Sequence, residues 1–166
     1  MSRSRPPEEA REERGSKAPP EGPLGETLDF MRLLWAVDHG LQSRSKRMEA
    51  ELGVTGMQRL VIRLIGRQPG ISAGELAELL HVHPSTLTGV LKRLVERGYV
   101  DRERDPEDAR RARFALRPGG EKIDATQAGT VEAAVRRALA RVPGNRLGAV
   151  RDVLAAVAAE LARSDR

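Results

Sequence analysis

The amino-acid sequence predicts a mainly α fold with one small β-hairpin. Two observations carry that reading. After residue 23, apolar residues recur at helical spacing through most of the chain. Between residues 99 and 117 the period changes to short segments of β-branched or aromatic residues with alternating charge. These are parted by Asp105-Pro106-Glu107-Asp108-Ala109-Arg110, which reads as a charged hairpin tip.

The elements follow in order. Residues 1–23 are rich in Pro, Arg, Glu, Ser and Gly and nearly lack large apolar side chains, so they read as a disordered tail. Its basic residues (Arg3, Arg5, Arg11, Arg14, Lys17) are matched by Glu8, Glu9, Glu12, Glu13 and Glu21, which makes it a poor nucleic-acid arm. Leu24, Leu28, Met31, Trp35, Leu41, Met48 and Leu52 then mark one long amphipathic helix, ended by Gly53. Thr55 can cap a second helix running through Leu60, Ile62 and Leu64 to about Gly66, and Pro69-Gly70 is a break. Ser72 and Glu75 have capping-box spacing, with Ile71 and Leu76 placed as a hydrophobic staple, so a third helix runs from Ser72 to Leu80. His81-Val82-His83 is a tight turn. Pro84 suits the first turn of a fourth helix, which runs to Arg97 and stops at Gly98.

Tyr99–Arg104 and Arg111–Arg117 form the hairpin, and Pro118-Gly119-Gly120 reads as another break. Two last helices are expected at about 121–141 and 144–163, parted by Pro143-Gly144. In the final one Leu147, Val150, Leu154, Val157 and Leu161 are spaced as a heptad seam, too long a stripe for a lone helix to leave exposed. The expected organisation is a tail (1–23) and one domain (24–166). Within that domain a lobe spans about 54–117, and helices at about 24–52 and 121–163 make a homodimer.

Composition narrows the function classes. The 166 residues carry 29 Lys and Arg against 24 Asp and Glu, a net charge of +5 that decides little by itself. There is no cysteine, which excludes disulfides, zinc–thiolate sites and a thiol switch. No apolar run approaches the ~18 residues of a membrane span, and the N-terminus lacks the apolar stretch of a secretion signal. A cytoplasmic location without a membrane partner is the expectation. No Ser-His-Asp order, paired carboxylate site or phosphate-cradling glycine loop is visible, so neither enzymatic activity nor a cofactor is expected.

The fourth helix carries the chemistry. At ~100° per residue, Leu87, Leu91 and Leu94 fall on one stripe, with Val90 and Val95 at its margins. Ser85, Gly89, Lys92, Arg93 and Glu96 fall opposite, with Thr88 at the border. A helix in the DNA major groove needs that division, with small hydroxyl residues near its N-terminus for close approach to base edges. A hairpin directly after it can lie along the duplex and send an arginine into the minor groove. Arg110 is the candidate, held by an ion pair to Asp108, while Arg111 and Arg113 reach phosphates.

From Gly70 to Gly120 the motifs P-S-T-L-T, R-L-V-E-R-G-Y-V-D-R and D-P-E-D-A-R stand in fixed order. Together they resemble the MarR family of bacterial regulators, and the flanking helices fit that family's order. The resemblance implies a winged helix-turn-helix whose N- and C-terminal helices form a dimerisation region. Each protomer then puts a recognition helix in the major groove and a wing in the minor groove. It implies DNA contacts by Pro84, Ser85, Thr86, Thr88, Lys92 and Arg110, with Asp108 supporting the wing; Arg111 stands beside them as a phosphate contact from the reading of the hairpin. Two positions depart from the family pattern. His83 stands where an Asp cap is common, which weakens a helix cap. Arg117 replaces a Thr, which loses a hydroxyl cap and adds a cation near DNA. The peroxide-sensing cysteine of some members is absent.

The expected function is a sequence-specific double-stranded DNA-binding regulator, a ligand-responsive repressor acting as a dimer on a palindromic operator. The rival is a winged-helix module that binds protein, against which the basic wing and the hydroxyl-rich helix argue. Relatives bind small aromatic acids between the dimer region and the DNA-binding lobe, which makes Trp35 and His39 a candidate pocket for a small-molecule effector. Trp35 as plain core is the preferred reading. His81 and His83 invite a zinc site, but a polar turn is the reading adopted, with no metal.

Overall fold

Thr55 and Ser72 each start a helix by the same device. The Thr55 hydroxyl accepts from Gln58 N at 3.2 Å, and Gln58 Oε1 accepts from Thr55 N at 3.1 Å. Ser72 Oγ accepts from Glu75 N at 3.3 Å, and Glu75 Oε2 accepts from Ser72 N at 2.8 Å. Each box satisfies two otherwise orphaned donors, and losing such a cap costs about 1 kcal/mol.

The computed structural model describes residues 24–108 and 110–163. The expected tail, 1–23, lies outside the described residues. The order is α1 (Glu26–Leu52), α2 (Gly56–Arg67), β1 (Ile71–Ser72), α3 (Ala73–Leu80), α4 (Pro84–Glu96), β2 (Val100–Arg104), β3 (Ala112–Leu116), α5 (Pro118–Ala125), α6 (Val131–Leu139), a 3-10 turn (Gly144–Arg146) and α7 (Leu147–Arg163). The fold is mainly helical with a small antiparallel sheet, the winged helix-turn-helix class. Among the described residues no helix is long and apolar enough to cross a membrane.

The chain divides into two compact units, one ending at Val37 and one running from Asp38 to Arg166. The described part of the first is mostly the N-terminal stretch of α1, where Leu28, Met31, Leu33 and Val37 are exposed. Trp35 is 66% exposed there, which corrects its reading as plain core. The reason is local: α1 carries apolar residues on faces that this chain leaves open to solvent.

The second unit has one core. Val61, Ile62 and Ile65 of α2 meet Leu76 and Ala77 of α3, Leu87, Leu91 and Leu94 of α4, and Ile123 of α5. Ile71, Val100 and Phe114 close it from the sheet. The strands lie in the order β1-β3-β2, all antiparallel. Val100 faces Leu116, Arg102 faces Phe114 and Arg104 faces Ala112. Alternation therefore puts Val100, Arg102 and Arg104 on one face of β2. β1 was not expected. It forms because Ile71 is both core and partner of Phe114, next to a Gly70 N–H bond to the Phe114 carbonyl at 2.9 Å.

Three expectations are corrected after the hairpin. Pro118-Gly119-Gly120 is no break but the first turn of α5, where Pro at the first position is favourable. Gly120 is buried there against the Tyr99 main chain, where a Cβ would collide with the Tyr99 carbonyl oxygen, so the position requires glycine. The single helix expected at 121–141 is two helices. Ile123 anchors α5 in the core, Arg59 takes the carbonyls of Ile123 and Thr126, and Gly129 turns at φ +74°. Thr130 then caps α6 by accepting from Ala133 N at 3.2 Å. The last helix begins at Leu147, after the 3-10 turn that occupies its expected start.

Within the second unit the end of α1 is fastened. Met48 is buried, its Sδ 3.3 Å from the Val131 N–H, and Arg97 donates to the Gly53 carbonyl. The α7 stripe is open: Val150, Leu154 and Leu161 are exposed, and Leu147 and Val157 are half-buried.

Candidate nucleic-acid interface

Leu87, Leu91 and Leu94 seat α4 in the core, and that fixes its other face outward. Ser85, Thr86, Thr88, Gly89, Lys92, Arg93 and Glu96 are all exposed. Pro84 occupies the first helical position, and His83 caps the helix. His83 Nδ1 accepts from Ser85 N at 3.3 Å and lies 2.7 Å from Ser85 Oγ. The cap expected to be weakened at His83 is thus supplied by the imidazole. His81, at φ +51°, makes the left-handed turn between α3 and α4. Thr88 Oγ1 donates to the Pro84 carbonyl at 2.8 Å. Lys92 is 3.8 Å from Glu96, and both are well exposed, so the pair contributes little and leaves the ammonium available. At Gly89 a side chain would project into open space.

The wing is shaped by two aspartates. Asp108 Oδ1 accepts from the Arg110 main-chain N–H at 3.0 Å, and its Oδ2 is 3.6 Å from Arg111 Nε. The ion pair expected between Asp108 and Arg110 is therefore formed with Arg111, because Asp108 holds Arg110 through the main chain. Asp105 Oδ1 accepts from Glu107 N at 2.9 Å, and its Oδ2 accepts from Arg113 Nε at 2.9 Å. Arg113, expected to reach phosphate, is committed to Asp105, and the guanidinium holds that carboxyl below the usual carboxylate range. Arg117 gives α5 no side-chain cap, as its replacement of a hydroxyl implied. Its guanidinium lies 2.6 Å from Asp101 and lowers that carboxyl too, so it is not the free cation expected near DNA. Glu75 is held low chiefly by its bonds from Ser72, with Arg111 and Arg113 adding smaller attractions.

Two arginines were missed. Arg102 and Arg104 join Arg110 and Arg111, with Glu103, around a cleft of about 350 Å³ toward the tip of the wing. The signal was present in Val100-Asp101-Arg102-Glu103-Arg104. Strict alternation continues the core face of β2 past the point where core ends, and the residues on that continuation are arginines. A larger cavity of about 690 Å³ lies between α3, α4 and the wing, floored by Leu91, Val95 and Phe114 and edged by Thr88, Lys92, Arg102 and Arg110. The structure thus brings Thr88 and Lys92 of α4 together with the wing cations around one concave surface, which Glu75, Glu78 and Glu96 also line and Ser85 and Thr86 do not. Trp35 and His39 are both exposed on α1. Among the described residues no group of three or more His, Asp or Glu is placed to hold a metal ion.

A mainly helical chain with a capped, hydroxyl-bearing helix and an arginine-lined wing is a winged helix-turn-helix protein. Residues 52–111 match the model of the MarR family, the family the motifs resemble. Transcriptional regulator HosA of Escherichia coli O111:H- is 40% identical over 83 residues, covering 49% of this chain and 62% of HosA. The chain thus spans less than two thirds of that relative. The Staphylococcus aureus MepR–DNA complex superposes with a TM-score of 0.66 at 16% identity, over 80% of this chain and 97% of MepR. The PcaV regulator of Streptomyces coelicolor, in complex with its natural ligand, gives 0.62 at 23% identity, over 76% of this chain and 89% of PcaV. These two establish likeness of fold.

Proposed function

We propose that this protein is a sequence-specific double-stranded DNA-binding regulator, a ligand-responsive repressor that acts as a homodimer on a palindromic operator in the cytoplasm. One observation carries the reading: Thr88 and Lys92 on the exposed face of α4 share a concave surface with Arg102, Arg110 and Arg111. In it Pro84, Ser85, Thr86 and Thr88 enter the major groove, Lys92 and Arg111 meet phosphates, and Arg110 enters the minor groove, steadied by Asp108. The DNA-binding lobe is the part around 54–117. The apolar faces of α1 and of the helices after residue 121 are each covered by a second copy. Trp35 and His39, one turn apart on α1, supply an aromatic face and a hydrogen-bonding edge for a small effector. That effector favours a dimer with wrongly spaced recognition helices. The MepR–DNA and PcaV–ligand complexes support the partner classes.

The rival is a winged-helix module that binds protein and has no use for phosphate. Titrating duplex DNA at rising salt tests between them. A steep linear fall of log affinity with log salt is expected of phosphate neutralisation. Absence of duplex binding at low salt would favour the rival.

A further inference from the structure

Two hydroxyls at the reading end of α4 have their hydrogens already placed. Thr88 Oγ1 lies 2.8 Å from the Pro84 carbonyl oxygen. A carbonyl only accepts, so the threonine proton is committed to it. Ser85 Oγ lies 2.7 Å from His83 Nδ1. A main-chain N–H only donates, and the Ser85 N–H is 3.3 Å from the same nitrogen, so the tautomer that serves both contacts leaves Nδ1 without a proton and makes the serine hydroxyl the donor of the pair. Both side chains are exposed, and each offers a partner only lone pairs.

Base edges in the major groove sort by this property. Adenine N6 and cytosine N4 donate, while guanine N7 and O6, adenine N7 and thymine O4 accept. We infer that Ser85 and Thr88 are acceptor-only readers that select the exocyclic amino groups of adenine or cytosine, and that His83 is the positioning residue that sets Ser85 in that sense. The inference rests on the DNA-binding reading. A hydroxyl with a free rotor takes either a donor or an acceptor. To donate to a keto oxygen, Thr88 must release Pro84 and Ser85 must release His83, trading one hydrogen bond for another without gain. Accepting from an amino group costs no existing bond. His83, a departure from the family pattern, thereby shapes specificity as well as starting the helix.

The test uses the whole chain. Duplexes retained from a random pool are sequenced for wild type, Ser85→Ala and Thr88→Val, which locates the base each side chain reads. At an adenine so located, purine removes the N6 amino group and 7-deazaadenine removes the N7 acceptor. At a cytosine, pyrimidin-2-one removes the N4 amino group. Wild type is expected to lose affinity about tenfold with the amino group and nothing with N7. Ser85→Ala loses the same tenfold and is then indifferent to the amino group. His83→Ala relaxes the preference at the Ser85 position, and His83→Asn, whose Oδ1 accepts as Nδ1 does, restores it. A preference for guanine or thymine at these positions, or a loss that follows N7, overturns the inference. So does selection in which neither variant alters any position, and in all these cases DNA binding stands. Retention of no duplex overturns the DNA-binding reading itself, and this inference with it.

Discussion

Arg59 of α2 and Glu132 of α6 are joined by an ion pair of 2.9 Å in which the arginine side chain is only 3% exposed. The same guanidinium donates to the carbonyls of Ile123 and Thr126 at the end of α5, the first of which also accepts from Thr126 N at 3.2 Å. Arg63 runs beside it, 2.7 Å from Asp124. α2 therefore holds the turn between α5 and α6 by charge, where apolar packing alone would let it slide. Glu132→Ala leaves a buried cation without its counter-charge and is expected to cost about 3 kcal/mol. Asp124→Ala acts on a more exposed pair and is expected to cost under about 1 kcal/mol. Urea unfolding of both variants measures the difference, and equal midpoints would contradict the assignment.

Two glycines separate fold from function. Gly120→Ala drives a Cβ into the Tyr99 main chain and is expected to destabilise the protein by about 1–3 kcal/mol. Gly89 sits in the interior of α4 with open space before it. Gly89→Ala is expected to raise stability by about 0.5–1 kcal/mol, since alanine is the better helix former. It also crowds the surface that approaches the bases, so DNA affinity should fall as the melting temperature rises. Calorimetry and a duplex titration on one preparation give both values, and unchanged affinity would place Gly89 outside the contact.

At the wing, Arg110→Ala should weaken DNA binding without unfolding the protein, most on operators with A·T-rich flanks, where a narrow minor groove concentrates negative potential. Asp108→Ala should act more mildly, because it loosens the Arg110 main chain and frees Arg111 while leaving both cations. Lys92→Ala should weaken all sequences alike and reduce the salt slope by about 1. Salt titrations on two operators differing only in their flanks resolve the three variants. Should Arg110→Ala match wild type on both, the wing is a solvated hairpin.

Leu154 is 47% exposed in the middle of the α7 stripe. If a second copy covers that stripe, Leu154→Glu buries a charge at the interface and should convert dimer to monomer in light scattering. A monomeric wild type would contradict the pairing.

Much of this architecture was legible because local chemistry and tertiary demand agree. Ser72 and Glu75 bond to each other wherever the chain goes, and the leucine stripe of α4 needs only a core to face. What escaped the sequence depends on distant partners. β1 is two residues long and exists through Phe114. The Pro-Gly-Gly segment looks like a break until Tyr99 is laid against Gly120. The helix expected at 121–141 is divided by Arg59, more than sixty positions upstream. At the candidate site the exposed face of α4 was readable from periodicity. The pairing of the wing was not, since one carboxylate can reach several arginines and only the hairpin geometry assigns Asp108 to Arg111 and Asp105 to Arg113.

The central claim is that α4 and the wing of a dimer read a particular DNA sequence, and selection of duplexes from a random pool at fixed salt measures it most directly. The account predicts enrichment of an inverted repeat whose half-sites lie about one helical turn, or a multiple of it, apart. The repeat should lose definition on Ser85→Ala and Thr88→Val, and it should lose its flanking preference on Arg110→Ala. A retained pool with no enriched sequence, or one whose pattern survives all three substitutions, would contradict it.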